Sequence, residues 1–131
     1  MHNNARHSRA STADAVAAGA RALGAAGAVM AAAAIGLSAY AAHGGADGAR
    51  AGLQMAGWFA LAHGVALAAL APRAAPGVAR SALVAMLLGA VLFCGSLAAA
   101  HFLGTPTVLA PFGGGLMMLA WLAYAFDAAR R

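Results

Sequence analysis

Seven of the eight arginines fall in alternate gaps between four long apolar runs, and that alternation constrains the chain more than any motif does. The runs are Ala22–Ala42, Gly52–Ala71, Ser81–Leu103 and Val108–Phe126, and none contains Asp, Glu, Lys or Arg. Arg6, Arg9 and Arg21 precede the first run, Arg73 and Arg80 separate the second from the third, and Arg130 and Arg131 follow the fourth. Only Arg50 lies between the first and second runs. Loops that stay in the cytoplasm collect Arg and Lys while translocated loops lose them. The pattern predicts a multi-pass protein of the bacterial inner membrane, with both termini and the Arg73–Arg80 loop cytoplasmic.

The runs have the length this reading needs. A hydrocarbon core of about 30 Å takes roughly 20 helical residues to cross. Apolar residues make up 63% of the chain against 8% charged, with a mean hydropathy of +0.79, far from the composition of a soluble domain. Strands fit poorly, because the runs are rich in Ala and Leu and lack polar/apolar alternation. A small-x-small site at Ala39-Tyr40-Ala41 looks like the end of a secretory signal. The apolar stretch before it exceeds the roughly 7–15 residues of a signal core, so it is read as a retained first helix.

The resulting expectation is an all-α integral membrane bundle of four transmembrane helices, up-down and antiparallel. Residues 1–21 form a polar cytoplasmic segment, irregular or lying on the membrane surface, whose end, Asp14–Arg21, could begin the first helix early; 22–126 form the membrane domain and 127–131 a basic cytoplasmic tail. Turns are expected at His43–Gly48 from its Gly and Asp content and at Gly104–Thr107. The inner loop carries Pro72 and Pro76, which stop one helix and space the next. The fourth helix is the least regular: counted from Pro111 to Phe126 it spans only about 24 Å. It therefore either starts nearer Pro106 with a kink or leaves Pro106–Ala110 irregular.

A net charge of +5 raises the question of nucleic acid. There is no lysine, and the arginines are spread along one membrane margin, where they set topology and meet anionic lipid headgroups. Membrane lipid is the expected partner, and nucleic acid is not. The lone Cys94 is inside the third run and is read as a packing residue.

Chemistry, if there is any, rests on His43, His63 and His101. His43 and His101 end the first and third runs, while His63 lies about twelve residues into the second, near mid-bilayer by the helical rise. A polar side chain at that depth faces the interior of the bundle. Its functional readings are a proton relay, a metal ligand or a haem ligand. Haem bound by two imidazoles needs a second one at matching depth, zinc needs three or four ligands, and no acidic residue is near. The simpler reading is structural, each imidazole bonding a carbonyl or a serine. Ser96 beside a histidine lacks a carboxylate to orient the base, so no enzyme is expected. No cofactor and no metal site are expected either. Trp121 and the other aromatics are read as interfacial or packing residues.

Small residues recur every four positions at Ala28, Ala32 and Gly36 and again at Ala90, Cys94 and Ala98. Such faces let helices approach closely in lipid, within the chain or in a homo-oligomer or larger membrane complex. Gly36, Ala39, Gly95 and Ala99 are expected to let helices one and three meet. The echo of Ser38-x-x-Ala41-Ala42-His43 in Ser96-x-x-Ala99-Ala100-His101 hints at two parallel hairpins.

Four pieces of the chain, in order, resemble the domain of unknown function 423 family. They are Ala39-Tyr40-Ala41-Ala42-His43-Gly44, Ala62-His63-Gly64-Val65-Ala66-Leu67, Leu92-Phe93-Cys94-Gly95-Ser96-Leu97, and Pro111-Phe112-Gly113-Gly114 followed by Ala120-Trp121. Ala41 stands where the family usually has glycine, Ala62 where an aromatic often precedes the histidine, Cys94 for serine and Ala98 for tyrosine. The resemblance implies a four-helix membrane protein and supplies no activity. The functional expectation is a non-enzymatic accessory or assembly component. Behind it stand an oligomeric transporter or channel using His63 and the Pro111–Gly115 break, and then a haem or metal redox protein. A polar cluster of His43, His101 and the Pro111-Phe112-Gly113-Gly114 turn is expected at the outer face.

Overall fold

The computed structural model describes residues 2–43 and 47–130, with side chains described for 10–43 and 50–130. Four helices carry the chain: α1 (His2–His43), α2 (Asp47–Leu70), α3 (Val78–Leu103) and α4 (Ala110–Ala129), with a 3₁₀ turn at Ala71–Arg73. All four are long and apolar enough to cross a membrane, and no strand occurs among the described residues. The protein is all-α and multi-pass. Of the outer turn expected at His43–Gly48, Gly44–Ala46 lie outside the described residues.

The helix ends differ from the sequence reading: α2 begins at Asp47 instead of Gly52 and α3 at Val78 instead of Ser81, and two further differences bear on how the spans reach across the membrane. First, α1 has 42 residues, about 63 Å at 1.5 Å per residue, roughly twice a hydrocarbon core. The early start allowed for at Asp14–Arg21 is observed, and the rest of the polar segment, expected to be irregular or surface-lying, is also helical from His2 and continuous with the first span. Its stretch Ala10–Arg21 contains six alanines, the strongest helix former, so propensity carries the helix on where hydropathy stops. Second, α4 makes up its length at the far end, running on through Asp127 to Ala129 for 20 residues. Gly104 closes α3 in the left-handed region at φ 67, its N–H bonding the Ala100 carbonyl, as a glycine cap does. The stretch from Gly104 to Thr107 is irregular and Pro111 lies in the first turn of α4, the place where its missing N–H costs least.

Glycines decide which helices touch. A Cβ on Gly27 of α1 would lie 2.7 Å from the Gly64 carbonyl of α2, and one on Gly64 would lie 2.7 Å from the backbone N of Ala31. Further out on α1, the Ser38 hydroxyl lies where a Cβ on Gly57 would be. Rising numbers on α1 meet falling numbers on α2, so the pair is antiparallel. α3 and α4 cross in the same way: a Cβ on Gly89 would meet the Gly113 carbonyl at 2.9 Å, and one on Gly113 would collide with the backbone N of Phe93. These backbone-to-backbone crossings are the small-residue packing of membrane helices.

The helices follow one another in a row that is open on one side. α1 packs on α2, α2 on α3 and α3 on α4, whereas α1 and α3 touch only lightly. Among the described residues α1 and α4 share no packed face. Gly36 and Gly95, expected to bring α1 and α3 together, have nothing within 4 Å of a Cβ placed on them. The core lies toward the arginine-bearing end, where Leu67, Leu83 and Met86 are fully buried with Leu23 and Ala120. There Pro72 lies over Gly24. Arg80 reaches across to α1 with one Nη donating to the Val16 carbonyl at 2.6 Å and the other to the Ala74 carbonyl at 3.2 Å.

Candidate functional site: a histidine tied between helices, and the outer histidines

His63 is 8% exposed, one of two buried polar side chains among the described residues, the other being Ser96. Both of its ring nitrogens are engaged. Nδ1 lies 2.8 Å from the Phe59 carbonyl one turn back on α2, and the indole Nε1–H of Trp121 donates to Nε2 over 3.2 Å. Indole is a donor only, so Nε2 must be the acceptor and Nδ1 must carry the hydrogen that bonds Phe59. The tautomer is thereby fixed as neutral imidazole with both polar atoms satisfied.

Aromatic rings close the place off. The Phe59 ring stacks on the imidazole at 5.9 Å and 10°, and the Phe93 ring of α3 meets Phe59 at 4.8 Å. Tyr124 sits edge-on to Trp121 at 6.4 Å. Three helices thus contribute to one centre: His63 and Phe59 from α2, Phe93 from α3, Trp121 and Tyr124 from α4. Chemically this is a tie. A carbonyl and an indole N–H are the two neighbours of the ring, and neither takes up and releases protons near neutral pH. The arrangement favours the structural reading of His63.

The outer residues are arranged differently from the expected cluster. His43 is exposed, its Nδ1 2.8 Å from the Ala39 carbonyl of its own helix. His101 is half-buried and meets the edge of Tyr40 from α1 at 5.9 Å, with Phe102 completing the contact. Tyr40, which sequence reasoning did not single out, is the residue that joins α1 to α3 at this end. The start of α4 lies elsewhere. Gly113 is buried against Gly89 and Phe93, and Gly114 lies against the Phe93 ring, while Pro111 is exposed. Phe93 is eight residues before His101, about 12 Å deeper along α3. The glycine-rich turn therefore serves the α3–α4 crossing and does not close over the histidines.

The suspected repeat is not reproduced in the packing. The α1–α2 crossing lies sixteen residues before His43, while the α3–α4 crossing lies twelve before His101. The α1 stripe is left without a helix partner, whereas on α3 Ala90 is fully buried and Cys94 and Ala98 are half-buried. Ala28, Ala32 and Gly36 are exposed on α1. Ala90, Cys94 and Ala98 line an open apolar groove of about 270 Å³ between α1 and α3, with Met30, Ala34 and Leu37 on the opposite wall and Ala60 of α2 among its lining.

Trp121 as the partner of His63 was missed by sequence reasoning, as was Arg80 as a strap onto α1. A Trp far from its helix end was the available signal for the first, since an indole N–H inside a membrane needs an acceptor. Among the described residues no three His, Cys, Asp or Glu side chains converge as metal ligands would.

A family profile described as a protein of unknown function, DUF423, matches residues 37–114. That range runs from the outer end of α1 to the start of α4 and takes in His43, His63, Ser96, His101, Gly113 and Gly114. No curated protein and no solved structure matches the chain.

Proposed function

The chain belongs to the DUF423 family of unknown function, and from that premise we propose that it is a non-enzymatic accessory or assembly component of the bacterial inner membrane, acting through helix–helix contacts. The carrying observation is the unfinished packing of a single copy. The spans of α1 and α4 bury only 17% of their apolar windows, against 39% for α2 and α3. On α1 the uncovered surface includes the stripe Ala28–Ala32–Gly36, and on a different face of the same helix Met30, Ala34 and Leu37 form one wall of the open groove that Cys94 lines. Small residues of this kind are what a second membrane helix packs against. The partner is a second copy or a larger membrane complex. Purified in mild detergent, the protein is expected in a particle of more than one 12.8 kDa chain or with a second protein. A lone chain without companions would contradict the proposal.

The orientation we propose puts both termini and the Arg73–Arg80 loop in the cytoplasm, on the arginine count alone. A C-terminal alkaline phosphatase fusion is then inactive and a fusion after Gly104 active; the reverse pattern would overturn the orientation.

A further inference from the structure

α4 starts too deep in the membrane to leave its connection to α3 dry. Gly113 lies against Gly89 and Phe93, so it is level with the middle of that pair, about 15 Å below His101 by the helical rise. Ala110 is three residues nearer the outer surface and so about 10 Å below His101. Counting from the inner ends agrees. Ala79 and Ala128 line one cavity, and following α3 and α4 outward from there puts Ala110 about 6 Å below His101. A hydrocarbon core of about 30 Å, measured from Arg80, ends near Ala100 and His101. The start of α4 is therefore inside it by roughly 6–10 Å.

The chain comes down from Leu103 to Ala110 through that distance without a helix. Gly104–Leu109 are all exposed, Val108 by 61% and Leu109 by 53%. The Gly104 N–H is spent on the Ala100 carbonyl and the Ala110 N–H on the Thr107 carbonyl. Thr105, Thr107, Val108 and Leu109 carry N–H groups too, and among the described residues none of these donates to a backbone carbonyl. Leu109 is one Cα step of about 3.8 Å from Ala110, so its backbone is below the margin as well. Irregular backbone at hydrocarbon depth occurs only where protein buries it or water reaches it. Within one copy the exposure of the segment excludes burial.

We propose that the outer surface of the membrane dips beside α4, forming a wet notch over Ala110. Water and outer-leaflet headgroups descend into it and meet the backbone of Thr105–Leu109. A helix shorter than the hydrocarbon core is accommodated by thinning the bilayer around it, and here the thinning is confined to one side of the protein. Beside α1, which runs past the whole core, the leaflet keeps its depth. The proposal goes beyond the assembly role and does not rest on it.

The test is cysteine labelling of the full chain in membrane vesicles, in a Cys94→Ser background that removes the one native thiol. Leu109→Cys and Val108→Cys probe the notch, and Thr105→Cys is the accessible reference. Ile35→Cys is the control at matched depth. Ile35 is 62% exposed and lies five residues, about 7.5 Å, below Tyr40, which meets His101. A charged, membrane-impermeant maleimide reacts with the thiolate, so both notch cysteines are expected to be labelled within about tenfold of the rate of Thr105→Cys. Ile35→Cys should stay unlabelled over the same time. Notch cysteines as inert as Ile35→Cys would overturn the proposal and point to a partner chain over the segment. Labelling of Ile35→Cys at the same rate would overturn it too, because access would then not be particular to α4. Adding the reagent to right-side-out and to inverted vesicles separates the notch from the orientation: labelling of positions 105, 108 and 109 from the cytoplasmic side would reverse the orientation and uphold the notch.

Discussion

Replacing Gly113 by alanine is expected to destabilise the protein by about 1–3 kcal/mol, the cost of forcing extra volume into a packed interface. The added methyl would fall on the backbone N of Phe93 and 2.7 Å from the Gly89 carbonyl. Backbone atoms cannot swing aside as a long side chain can, so α3 and α4 must separate along their length. Gly64→Ala should cost a similar amount, because its Cβ would meet Ala31 N and Gly27 O of α1, each at 2.7 Å. Gly36→Ala and Gly95→Ala provide the contrast. Nothing lies within 4 Å of either added atom, and alanine is the better helix former by about 1 kcal/mol. Both should be neutral or stabilising in the reversible unfolding of detergent-solubilised protein. Four equal effects would contradict the crossing points described above.

The second large effect concerns the tie between α2 and α4. Trp121→Phe keeps a ring in place but withdraws the N–H that reaches His63 Nε2. A buried acceptor is then left without its partner, at a cost of about 1–3 kcal/mol in general and nearer 0.6 kcal/mol on average between membrane helices. His63→Leu leaves the indole N–H unpaired in turn. Because the two residues share one bond, the double variant His63→Leu/Trp121→Phe should cost less than the sum of the singles. A coupling of about 0.5–2 kcal/mol is expected. Strict additivity would mean that the bond contributes nothing.

How much of this was legible in the sequence follows from the kind of information each feature carries. Apolar run length fixes where a helix can cross lipid, so the four spans could be read directly, and His63 at mid-depth could be placed inside. Helix ends outside lipid obey propensity and capping instead, which is why the Ala-rich Ala10–Arg21 stretch and the Asp127–Ala129 end of α4 extend beyond the apolar runs. Contacts between helices were the least legible. Gly27, Gly36, Gly64 and Gly95 look alike in sequence, yet Gly27 and Gly64 face each other while Gly36 and Gly95 face open space. Only the rotation of each helix about its axis separates them, and in a chain that is apolar all round no amphipathic stripe sets that rotation. The same loss hid Trp121 from His63, 58 residues away on another helix. The family resemblance gave the order of the motifs and no geometry.

The central claim is that a second helix-bearing chain completes the packing of α1 and α3, and the most direct measurement of it is made in intact membranes. Val91 is exposed on the rim of the groove lined by Ala90, Cys94 and Ala98. A photo-cross-linking amino acid placed there, and irradiated before any detergent is added, should capture the protein seated beside it as a discrete adduct heavier than 12.8 kDa. Mass spectrometry of the adduct would identify a second copy or another membrane protein. Irradiation that yields only lipid adducts and the uncross-linked chain, from protein present at normal amounts in the membrane, would contradict the claim.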